Sequence, residues 1–164
     1  MRTWPVRTRG FTLIELVVTL ALLGVLAMVA APMAELAVQR SKEQELRSAL
    51  REIRGALDRH KQAAEQGQIA RKPGDSGYPP SLEVLEQGID LVAKNIGEGE
   101  TRKLYLLRRV PRDPFADPAL PAARTWALRS YDSPPDDPRS GDDVFDVHSK
   151  AEGKGLNGVP YNKW

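Results

Sequence analysis

Glu15 is the only charged residue in the stretch 11–34, whose other members are apolar or small apart from Thr12 and Thr19. A carboxylate inside a membrane-like layer is costly unless a cation compensates it, so such a residue calls for a named partner. Residues four apart share a helix face, so an amine at Phe11 would lie beside Glu15 on the same helix. Breaking the chain after Gly10 would create that amine. The chemistry on offer at this end is therefore pairing of two charges, each relieving the other's desolvation in a low dielectric. Elsewhere reactive side chains are scattered. His60 and His148 have no cysteine or histidine partner at zinc-ligand spacing, and no glycine-rich phosphate loop or nucleophile elbow is present. Asp136-Asp137 and Asp142-Asp143 read as solvated loop carboxylates. No catalytic residue and no enzymatic activity is expected.

The element that positions Glu15 is the apolar run itself, long enough at about 1.5 Å per residue to cross a bilayer core. Ahead of it, residues 1–10 carry Arg2, Arg7 and Arg9 and no acid. This asymmetry keeps the N-terminus in the cytoplasm and sends the rest across the membrane. An ordinary secretory signal places its small-residue cleavage site after the apolar stretch. Here Gly10 lies before it, so cleavage there leaves the helix on the mature chain. An uncleaved anchor whose glutamate snorkels to the interface is the plain alternative.

The string Gly10-Phe11-Thr12-Leu13-Ile14-Glu15-Leu16 resembles the prepilin peptidase motif of the type IV pilin-like superfamily, which includes the pseudopilins of type II secretion systems. The resemblance implies that prepilin peptidase cuts between Gly10 and Phe11 and that Phe11 is N-methylated. It further implies that Glu15 acts in assembly and that Pro32 is the helix-kinking proline. Tyr78-Pro79-Pro80-Ser81-Leu82 with Leu85, and the segment from Leu104 through Asp113-Pro114-Phe115, resemble the major pseudopilins (general secretion pathway protein G type).

Of the 164 residues 24 are Lys or Arg and 22 Asp or Glu, a net charge of +2. Without the three leader arginines the mature chain carries 21 basic and 22 acidic residues, a net of −1. So balanced a chain has no electrostatic footprint for nucleic acid. Cysteine is absent, which excludes disulfides and, within the resemblance, favours a pseudopilin or a small minor pilin over a disulfide-stapled principal pilin.

From residue 35 the chain becomes amphipathic. Leu46, Leu50, Ile53 and Leu57 form one apolar stripe, and Lys42, Glu43, Glu45, Arg47, Arg51, Glu52 and Arg54 are assigned to the opposite, charged side. One helix is expected from Phe11 to about Glu65, kinked where Pro32 removes a backbone hydrogen bond, with Gly24 a second weak point. Residues 70–80 form a turn-rich linker, and Ser81 is expected to cap a short helix, Leu82–Gln87. Residues 89–96 are expected to add another helical turn or two before the Gly97-Glu98-Gly99 break. Strands are expected over 125–131 and 144–149, separated by a polar, proline-rich loop.

The tail after that strand is where the resemblance implies a calcium loop. Calcium takes about six to eight oxygens, several from carboxylates. Glu152, Asn157 and Asn162, set among Lys150 and Lys154, are a poor match. No metal or other cofactor is expected; Asn157-Gly158 reads as a tight turn, and Tyr161 and Trp164 as apolar anchors.

These readings converge on an α+β, pilin-like fold: a long N-terminal helix, hydrophobic in its first half, packed on a small antiparallel sheet. Its divisions are a leader (1–10), a transmembrane or filament-core helix (11–34), an amphipathic helix (35–66) and a periplasmic globular region (67–164). The expected role is a pseudopilin of type II secretion in the inner membrane, single-pass, with a cytoplasmic N-terminus and a periplasmic C-terminal domain, extracted into a periplasmic filament. Expected partners are prepilin peptidase, copies of itself, other pseudopilins or pilins, the inner-membrane assembly platform and, before assembly, lipid. The alternatives are a minor pilin of a type IV or DNA-uptake pilus and an uncleaved, membrane-anchored periplasmic binding module.

Overall fold

A computed structural model describes residues 10–92 and 102–164, apart from the side chain of Val29. The leader up to Arg9 and the Gly97-Glu98-Gly99 break lie outside the described residues. Helix α1 runs from Leu13 to Glu65 without interruption. It passes through Pro32 as helix, although a proline has no N–H to give to the carbonyl four residues back. The chain divides into two units, Met1–Arg40 and Ser41–Trp164.

In the first unit α1 presents Leu13, Leu20, Leu22, Leu23, Leu26 and Met28 exposed, with no polar face opposite them. A helix apolar all round suits lipid or a packed helical core, not water. By length and composition it can cross a membrane.

In the second unit the stripe predicted from spacing is the floor of the core. Leu46, Leu50, Ile53 and Leu57 are buried with Ala49 and Ala56, against Leu82, Leu85, Leu107, Val110, Trp126, Val144, Val147 and Tyr161. The buried line is longer than the apolar residues alone. It begins at Glu43 and continues through His60 to Ala63 and Ala64, keeping the alternation of three and four. Glu43 is therefore not on the solvent side with its charged neighbours.

Helix α2 spans Leu82–Gln87 as expected, but Ser81 makes no side-chain cap hydrogen bond. Burial of Leu82 and Leu85 holds this short helix instead. Of residues 89–96, where further helix was expected, 93–96 lie outside the described residues, and Ile89–Asp90 forms strand β1, paired antiparallel with β2, Lys103–Leu104. Ile69 bridges to Leu91, and Ile89, Leu91 and Leu104 cover Ala63, Ala64 and Ile69 in a second small cluster. These β-branched and leucine residues gain more by closing the end of α1 as a ribbon than by a helical turn with one apolar side to bury.

Strands β3, Trp126–Arg129, and β4, Asp146–Ser149, form a second antiparallel pair with Trp126 opposite Ser149 and Leu128 opposite Val147. There are thus two two-stranded sheets among the described residues, not one. The strands are shorter than their alternation suggested. On β4 the inward residues are Val147 and Ser149; Val144, also buried, precedes the strand. Its N–H goes to the Pro79 carbonyl at 2.8 Å, and this tie ends the regular alternation.

Candidate functional site

At the start of α1, Thr12 and Glu15 hold each other. The Glu15 N–H donates to Thr12 Oγ1 at 3.3 Å and the Thr12 N–H faces Glu15 Oε2 at 3.5 Å. This is a capping box, in which threonine and glutamate three residues apart satisfy two of the amide groups that a helix start leaves without partners. A carboxylate in the first turn also meets the positive end of the helix dipole. The Thr-x-x-Glu spacing carries this signal in the sequence, where attention to membrane cost alone passes over it. Gly10 and Phe11 lie just outside the helix and are exposed. Thr12 and Glu15 thus close the first turn directly after Gly10 and Phe11, and the Glu15 carboxylate faces an amide only one residue from Phe11. Pro32 is not part of this group, lying roughly 25 Å further along the helix axis.

At the other end of the chain, α1 holds the tail. Glu43 Oε1 accepts the Leu156 N–H at 2.8 Å and the Tyr161 hydroxyl at 3.1 Å. Arg54 donates to Asp146 Oδ1 at 2.7 Å, to the Val147 carbonyl at 3.0 Å and to the Trp164 backbone oxygen at 2.7 Å. Between these two ties, Arg47 stacks on the Trp164 ring at 4.4 Å and Trp164 packs edge-on to Tyr161 at 5.2 Å. The tail then folds on itself. Gly155 accepts from the Gly158 N–H at 2.8 Å and donates to Val159 at 2.9 Å, with Gly158 at φ +78°. Gly155 lies so close beneath the indole that a Cβ would fall 2.3 Å from Trp164. The Asn157 side-chain oxygen accepts from the Val159 N–H, and the Gly153 carbonyl from that of Tyr161.

Two other buried polar groups are structural. Asp113 accepts the Ser149 hydroxyl at 2.5 Å and the Phe115 N–H at 2.8 Å, fixing the turn that precedes β3. His60 bonds through Nδ1 to the Gly77 carbonyl at 2.9 Å, pinning the linker to α1. Burial lowers the His60 pKa, and the Gly77 bond raises it by less. His148, on β4, is also lowered, chiefly by burial. Neither histidine belongs to a cluster of three or more His, Cys, Asp or Glu able to hold a metal among the described residues. Spacing could have identified Glu43 and His60, which fall three residues before Leu46 and three after Leu57 on the buried line; their polarity masked it.

Comparison with family models matches residues 6–31 to the prokaryotic N-terminal methylation motif. Comparison with curated proteins and with solved structures gives no match. The motif supports the type IV pilin-like family and indicates processing by prepilin peptidase. With the apolar helix, it fits a single-pass, membrane-anchored protein.

Removing the Glu43 carboxylate leaves the Leu156 amide and the Tyr161 hydroxyl without this acceptor in a buried place. Glu43→Ala is expected to destabilise the globular unit by about 3 kcal/mol, from two hydrogen bonds to a charged group. Thermal unfolding of the detergent-solubilised chain, followed by circular dichroism and tryptophan fluorescence, checks this.

Proposed function

We propose that this type IV pilin-like chain is a pseudopilin, a structural subunit of the periplasmic pseudopilus of a type II secretion system. One observation carries the subunit reading: the only charge in an otherwise apolar helix start lies one turn after the Gly10-Phe11 junction, within the methylation motif. Cleavage there leaves an ammonium at Phe11. The Glu15 carboxylate, turned toward the Thr12 amide one residue from Phe11, pairs with that ammonium or with the ammonium of an adjoining subunit. Pairing is worth little in water and much more in an apolar layer. It therefore discriminates a subunit correctly seated among other apolar helices from one out of register.

The exposed leucines, valines and methionines of the first unit have two suitable surroundings, lipid before assembly and neighbouring helices after it. Because lipid tails are as apolar as these side chains, moving between the two gains little from the hydrophobic effect. Close packing and charge pairing must supply the preference. The globular unit carries no catalytic role in this reading. Its buried carboxylates, Glu43 and Asp113, and its buried histidine, His60, are committed to the tail, the turn before β3 and the linker.

The choice of secretion over a pilus machine is supported by the resemblance at Tyr78-Pro79-Pro80 and Asp113-Pro114; the lack of cysteine speaks only against a disulfide-stapled principal pilin. The chain is placed in the inner membrane with its N-terminus cytoplasmic. Its partners are prepilin peptidase, its own copies and other pseudopilins, and the assembly platform. Calcium is not part of the proposal. Glu43 and Arg54 hold the tail from α1, while its Asn157 side chain and several backbone oxygens serve internal hydrogen bonds.

Intact-mass measurement of the membrane-extracted chain, from cells with active prepilin peptidase, is expected to show loss of residues 1–10 and one added methyl group at Phe11. Retention of the leader overturns the proposal. Unfolding of the same material is expected at an unchanged temperature with or without EDTA; a large fall on chelation would restore calcium to the tail.

A further inference from the structure

Two surfaces of the globular unit carry opposite charge and lie on opposite flanks of α1. Arg59 and Lys61 are two positions apart, so their side chains leave the helix about 160° apart. Arg59 donates to the Leu106 carbonyl at 3.1 Å, which fixes the segment around β2 on its flank. Lys61 donates to the Ser76 carbonyl at 2.5 Å and lies 5.5 Å from the Tyr78 ring and 6.0 Å from that of Tyr131. The loop between β3 and β4 therefore stands on the other flank.

The first surface is basic. Arg102, Lys103, Arg108 and Arg109 are exposed, and residues 102–112 contain no acid. Tyr105 lies among them, 63% exposed. Of the neighbouring carboxylates, Glu86 accepts the Val110 N–H and Asp90 stands opposite Lys103 in the strand pair. The second surface is acidic along its loop, with Lys61, Arg71 and Lys72 lining a cavity at its edge beside Asp132, Asp142 and Asp143. Residues 131–143 hold five aspartates against one arginine, Arg139, which pairs with Asp137. Tyr131, 54% exposed, lies within it, stacked on Tyr78 and edge-on to Phe145. Among the described residues Arg108, Arg109, Asp136 and Asp142 have no ion pair.

We propose that the basic, Tyr105-bearing flank of one copy docks against the acidic, Tyr131-bearing flank of the next. This inference rests on the filament reading above and supplies the contact between its globular units. Placed on opposite flanks of one helix, the two surfaces cannot meet within a chain but can meet between chains. Their unpaired charges, Arg108 and Arg109 on one and Asp136 and Asp142 on the other, are opposite in sign, so each surface attracts the other. A contact between different surfaces of identical chains is head-to-tail, and one that does not close into a ring propagates as a helical filament. Arginine and tyrosine are enriched in the cores of protein interfaces, while opposed charge fixes register and speeds encounter.

The absence of cysteine makes the test direct. In the full-length chain, Lys103→Cys and Ser140→Cys together are expected to give an oxidation-dependent ladder of multimers, and co-produced single-cysteine chains a dimer. Arg108→Glu with Arg109→Glu, or Asp136→Arg with Asp142→Arg, should each lower cross-linking at least tenfold. All four changes in one chain should restore it, which separates a lost contact from a lost fold. The proposal is overturned if the ladder is absent while Glu15-dependent filaments still form, if the fourfold change fails to restore it, or if cross-links form only to an unlike protein. Failure of the filament reading looks different: no filaments form, and Glu15→Leu changes nothing. The docking proposal then falls with it.

Discussion

A single helix that is apolar all round as far as Ala34 and apolar along one stripe from Glu43 onward must satisfy two environments. The globular unit meets the second need through its core, and the first is left to lipid or to other helices. Most of the structure follows from this division. The small strand pairs, α2 and the tail cover the stripe of α1, and the exposed apolar half has no function as a free helix in water. The uncompensated carboxylate at Glu15 is tolerable only because its position gives it partners: the Thr12 amide in the folded chain and, in the proposed subunit, an amine at Phe11.

The same helix organises its coverings with polar groups, Glu43 and His60 on the buried stripe and half-buried Arg54 beside it. Glu43 and Arg54 grip the tail, and His60 grips the linker. These are ties between elements far apart in sequence, and each spares a buried backbone or hydroxyl group from lacking a partner. Asp113 does the same between the turn at Pro111 and β4. A small unit without disulfides has few other ways to fix loops that make up much of its chain.

Sequence made the long helix, its two halves, the stripe from Leu46 to Leu57, α2 and the general position of β3 and β4 legible, because periodicity and composition act locally. It misassigned residues 89–92. Their apolar character fits helix or strand, and only the pairing with Lys103–Leu104 and the closeness of Ile69 decide between them. It placed Glu43 with the solvated charges because its acceptors' donors, Leu156 and Tyr161, lie more than 100 positions away. At the N-terminus the charge problem at Glu15 was visible, and its immediate answer, the capping box, was legible in the Thr-x-x-Glu spacing but secondary to the membrane argument.

The central claim is that Glu15 acts by pairing with an amine at Phe11 during assembly. It is tested most directly by producing Glu15→Leu and parent chains in matched cells and measuring the fraction of processed protein recovered in sheared or purified filaments. The account predicts normal removal of residues 1–10 with at least a tenfold loss from the filament fraction. Equal recovery of both chains would contradict it.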